Sequence, residues 1–132
     1  MHQQLPELRE ALLRLHKALV DSERATYEQT IGAIGSSHRF LQLVTSDPWF
    51  AWLHPLSQLI VTIDESLDGK AKDPLTPAGA DAFVKQIRML LVASETGEGF
   101  AKHYDEALQR DPDVVLAHAE VAKILGQRQV KD

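Results

Sequence analysis

The chain contains no cysteine. Disulfide frameworks, thiol nucleophiles and thiolate-based zinc sites are therefore excluded. Asparagine is absent too, so no acceptor for an N-linked glycan exists. No apolar run approaches the roughly 20 residues that cross a bilayer, and the N-terminus lacks the pattern of a secretory signal. The expected location is cytoplasmic, with no membrane partner. Positive charge is not in excess either: 14 Lys and Arg face 19 Asp and Glu, a net charge of −5. Residues 1–70 carry 6 basic and 9 acidic side chains, and residues 71–132 carry 8 and 10. Phosphate binding needs a concentrated basic surface, so nucleic acid is not the expected partner.

What is present is ordinary for a globular domain. The 132 residues are 44% hydrophobic and 25% charged. One domain over 1–132 is expected, large enough to bury a core without staples. Six histidines would move the formal charge from −5 to +1 if all were protonated, so the surface field changes strongly between about pH 7 and pH 5.

Leu and Ala dominate, and both favour helix. Leu5, Leu8, Leu12, Leu15 and Leu19 step by three and four, which predicts a first helix from about Pro6 to Ile34, ended by Gly35. The stripe lapses at Asp21-Ser22-Glu23-Arg24 and resumes at Tyr27, so the middle of this helix is expected to be more exposed. A short helix follows, capped by Ser36 or Ser37, with Phe40, Leu41, Leu43 and Val44 inward. Asp47-Pro48 is a cap-plus-proline start for a third helix. Its stripe is Trp49, Leu53, Leu56, Ile60, Ile63 and Leu67. The phase holds across Pro55, which predicts one kinked, continuous helix. A polar loop spans 68–76. Thr76-Pro77 then starts a fourth helix lined by Ala80, Phe83, Ile87, Leu90 and Leu91, with Asp81 and Lys85 as an i,i+4 pair outside. Phe100, Tyr104, Ala107 and Leu108 mark a fifth. Asp111-Pro112 starts a sixth, with Val114, His118, Val121 and Leu125 inward and Gly126 at its end. Val115, Ala119 and Ala122 border that stripe, and their small size predicts close approach of another helix. The expected fold is all-α: an antiparallel four-helix-type bundle with two additional short helices.

Motif searches return little. There is no phosphate loop, dinucleotide glycine fingerprint, metalloprotease helix or nucleophile elbow. A di-iron bundle needs Glu-x-x-His pairs, and none occurs. Asp64, Ser66, Asp68 and Gly69 fit the first half of a calcium-binding loop, but position 12 is Leu75 where a bidentate Glu is required. The segment reads instead as a helix end with Gly69 in the left-handed conformation.

Two sets of residues stand out. His118 lies within an apolar stripe, His54 precedes Pro55, His16 borders the Leu12–Leu19 face, and His103 flanks Phe100. If they converged, neutral imidazoles could hold a divalent metal or haem; otherwise each is a half-buried boundary residue. The second set is aromatic. Phe40, Trp49, Phe50 and Trp52 are four of only eight aromatics in the chain. On an α-helix Phe50 points about 160° from Trp52, so at least one of Trp49, Phe50 and Trp52 is expected to be exposed or to pack on another chain. These four are the candidate interface or ligand pocket, against the alternative of a corner of the core.

The segments Ser46-Asp47-Pro48-Trp49-Phe50-Ala51-Trp52-Leu53 and Leu108 to His118 resemble a family of small helical bacterial proteins of uncharacterised function. The resemblance spans roughly residues 46–125. It implies a bacterial, cytoplasmic, helical protein and transfers no activity and no site residue. Catalysis needs clustered titratable groups with a positioned partner, and no such pair is visible. The expectation is a non-catalytic interaction or regulatory protein, acting through a helix surface on a protein partner or on a second copy, with no cofactor. The alternative is a His-based metal- or small-ligand-binding bundle.

Overall fold

The computed structural model describes residues 4–68 and 75–130. Among them the fold is all helical. In chain order the helices are α1 (Leu5–Thr30), α2 (Ser37–Ser46), a 3-10 helix (Pro48–Leu53), α3 (His54–Leu67), α4 (Pro77–Leu90), α5 (Phe100–Arg110) and α6 (Pro112–Val130). Gly69 and Pro74 lie outside the described residues, and with them most of the expected 68–76 loop.

The leucine stripe of α1 builds the centre. Leu5, Leu8, Leu12, Leu15 and Leu19 are all fully buried or nearly so, each contributing on the order of 1.5–3 kcal/mol of burial. Two rods flank α1, both antiparallel to it. One is the 3-10 helix with α3: Arg9 pairs with Asp64, His16 with Ser57, Glu23 with Trp52 and Tyr27 with Trp49. The other is α6 with the end of α5: Arg14 pairs with Glu120, and Ser22 with Arg110. The guanidinium of Arg88 on α4 donates to the Leu125 carbonyl of α6 at 3.0 Å.

The cap-plus-proline starts are real. Asp47 accepts from the Trp49 amide at 2.8 Å, Thr76 from Gly79 at 3.0 Å, and Asp111 from Asp113 at 2.9 Å. Of the two serines before α2, Ser36 is the cap, accepting from Arg39.

Several expectations need correction. Helix α1 ends at Thr30, before Gly35, because Gly32 (φ 147°) leaves helical geometry. Within α1, Asp21 is exposed as expected, but Ser22 and Glu23 are buried at 3% and 6% exposure. The lapse in the apolar stripe is a buried polar patch. Leu41 is exposed; Leu43 carries the buried side of α2. Gly126 does not end α6, which runs on to Val130. Val115, Ala119 and Ala122 lie on the exposed side of α6. Val114, Val121 and Ile124 face the core instead.

The rod around Pro55 is continuous in sequence but changes type. Residues 48–53 wind as a 3-10 helix, so Pro55 falls in the first turn of α3, where its missing N–H costs nothing. In a 3-10 helix residues i and i+3 eclipse. Phe50 and Leu53 thus share the inner face and are buried, while Trp49 and Trp52 share a half-buried one. None of the three aromatics is left exposed; the tighter winding narrows the divergence of Phe50 and Trp52 from about 160° to about 120°.

Candidate functional site

Trp52, His103 and His118, three of the residues singled out by sequence, lie along one seam where the 3-10 helix, α1, α5 and α6 meet. Glu23 is its charged centre. One carboxylate oxygen accepts from the Trp52 indole N–H at 2.8 Å, and the other from Arg110 Nη2 at 3.4 Å. The Ser22 hydroxyl accepts from Arg110 Nε and Nη2 at 3.1 and 3.0 Å. A buried carboxylate is costly unless paired and hydrogen-bonded; here Arg110 pairs with it, Trp52 donates to it, and Ser22 helps hold the guanidinium.

From Trp52 an aromatic ladder runs outward along α5 and into α6. Trp52 stacks on His103 at 5.2 Å between ring centroids and lies 5.3 Å from Phe100. Phe100 stacks on Tyr104, also at 5.3 Å. The buried Tyr104 hydroxyl lies 2.6 Å from His118 Nδ1. Burial drives the Tyr104 phenol well above its ordinary pKa and lowers that of His118. Both groups are therefore held neutral. Protonation would turn both ring nitrogens of His118 into donors, and the phenol would have to turn its own proton elsewhere.

The second aromatic group is separate. Tyr27 meets Trp49 edge-on at 5.5 Å and Phe50 at 5.8 Å, and Phe40 meets Phe50 at 6.1 Å. The Arg24 guanidinium sits 4.5 Å over the Phe40 ring. Phe50 has no accessible surface, so it offers nothing to a partner. Trp49, Trp52 and Phe40 keep only part of theirs.

The four candidate histidines do not converge. His16 Nε2 lies 2.6 Å from the Ser57 hydroxyl. His54 Nε2 lies 3.4 Å from the Val44 carbonyl. His103 faces Trp52 and Glu106, and His118 faces Tyr104. Among the described residues no group of three or more His, Asp or Glu is placed to hold a metal ion.

The His16–Ser57 pair was not foreseen from sequence, because the partners are 41 residues apart and neither lies in a motif. Its geometry resembles a nucleophile and its base. The Ser57 hydroxyl also lies 3.3 Å from the Leu53 carbonyl, the back-bond usual for serine inside a helix. The two contacts together tie α1 to α3. Burial lowers the His16 pKa.

Two half-buried imidazoles give the fold a pH dependence. Both His16 and His118 titrate below the ordinary value of 6.5 when folded. The folded state therefore disfavours their protonation. Stability from this source is complete above about pH 6.5 and declines as pH falls below it. Urea midpoints measured from pH 7.5 down to pH 5 should fall, and His16→Gln should flatten that fall. An unchanged slope would show that His16 does not contribute.

Beyond the seam, a cavity of about 420 Å³ opens on the outer side of the α1–α6 contact. A second, of about 340 Å³, lies between Arg39 and Pro48 at the α2 end. Comparison of the chain with protein-family models, curated proteins and solved structures finds no match.

Proposed function

We propose that this chain is a non-catalytic interaction or regulatory protein, bacterial and cytoplasmic, that works through the outer surface of α6. One observation carries the reading. Val115 and Leu116 are 45% and 69% exposed, and Ala119 and Ala122 beside them also face solvent. The four lie on one face of one helix, turned away from the buried Val114 and Val121. Contiguous apolar surface of this kind marks protein contact sites. The inward aromatics support the same reading, because they shift the binding role from the 3-10 helix to α6. The polar seam supports it too: Glu23, Arg110, Tyr104 and His118 spend their hydrogen bonds on one another.

Photo-crosslinking in the producing cell tests this. A benzoylphenylalanine at position 116 should give a discrete adduct. The same probe at position 61, where Val61 is comparably exposed on α3, should give none. Equal labelling from both sites, or none from either, would overturn the reading.

A further inference from the structure

We propose that the outer face of α6 pairs with the same face of a second copy of this chain, antiparallel, across a two-fold axis near the level of position 118. The proposal rests on the interaction reading above and names its partner. A two-fold interface must be complementary to itself, and this face carries both halves of a fit. Leu116 projects from it. It stands at one rim of the cavity of about 420 Å³, whose wall runs one turn further along α6 through Ala119, Glu120, Lys123 and Ile124 and is completed by Glu7 and Arg14 of α1. An axis at position 118 sets Leu116 of one copy opposite Glu120 of the other, in the wall of that cavity. The Glu120 carboxylate is already paired with Arg14 at 2.7 Å, so the incoming leucine does not meet a bare charge.

Charge locates the same axis independently. Asp113 and Lys123 are each five residues from position 118. They lie on one flank of the face, about 80° apart at 100° per residue. Antiparallel helices set like flanks opposite each other. The axis that seats Leu116 thus also places each Asp113 against the second copy's Lys123. Neither makes an ion pair within the chain among the described residues. Ala119 and Ala122 lie between these contacts and allow the two backbones to approach. One helix pair covers less than the roughly 1,600 Å² of a standard interface, so the equilibrium is weak and concentration-dependent.

Sedimentation equilibrium of the full chain, from about 10 μM to about 1 mM, covers the range in which such an interface populates a dimer. The wild type should show a reversible monomer–dimer equilibrium. Leu116→Glu should weaken it by about tenfold or more, as loss of a central anchor does. Asp113→Lys and Lys123→Glu should each weaken it, and the two together should restore it. Leu116 is largely exposed, so far-UV dichroism and the urea midpoint should stay those of the wild type. A monomer at every concentration overturns the proposal, as does a dimer indifferent to Leu116→Glu or a double variant no better than its parents. If the chain is monomeric and position 116 crosslinks to a protein of another mass, the dimer fails and the interaction reading stands. If there is neither dimer nor adduct, both fail.

Discussion

Phe50→Ala is expected to cost about 3–5 kcal/mol of folding stability, the range for truncating an enclosed phenylalanine. Phe50 has no solvent contact and sits between Tyr27 and Phe40, with centroids at 5.8 and 6.1 Å. These rings come from three different elements: α1, the 3-10 helix and α2. An alanine there leaves a void that the short 3-10 turns cannot close, since Leu53 holds the next position on the same inner face. At the level of the whole domain the loss corresponds to a fall in melting temperature of about 10 °C or more. Thermal and urea melts measure it directly. The same variant, at a temperature where it stays folded, should retain the wild-type tendency to associate. A small stability loss with abolished association would return Phe50 to the role of an interface residue.

Arg110→Leu is expected to cost about 2–3 kcal/mol. Glu23 would be left with its indole bond but no cation, at a position only 6% exposed. Removing one partner of a fully enclosed ion pair costs about 3–5 kcal/mol. Arg110 keeps 34% of its side chain in solvent, and screening there reduces the loss. Adding Glu23→Leu should recover most of it, because an apolar pair of similar volume no longer strands a charge. The cycle is read from urea midpoints of the wild type, both single variants and the double. A coupling energy near zero would show that the two residues are neighbours without being partners.

The helical architecture could be read from the chain because periodicity and caps are local signals. Leu5 to Leu19, Asp47-Pro48, Thr76-Pro77 and Asp111-Pro112 each carry their own instruction. The 3-10 segment could not be read in this way. Trp49, Phe50, Trp52 and Leu53 suit either winding, and only packing against α1 and α5 selects the tighter one. That choice decided which aromatics turned inward. Ser22 and Glu23 were misread for a related reason: a polar pair in an apolar stripe looks solvent-facing until Arg110, almost ninety residues away, is known to meet it. His118 was recognised as unusual, but its partner Tyr104 belongs to the neighbouring helix and no spacing rule joins them. The small residues on the outer face of α6 signal close approach of another helix without saying whose. Telling an inner helix contact from an outer one requires knowing where α1 lies.

The pairing of α1 with α6 has a consequence for synthesis. Arg14 and Glu120 are 106 residues apart, so the leucine row of α1 leaves the ribosome long before its partner strip exists. The α3 rod can cover one flank during that interval, while the other waits for α6. Closing so long a loop is slow, so part of the apolar row stays open to water until synthesis is nearly done.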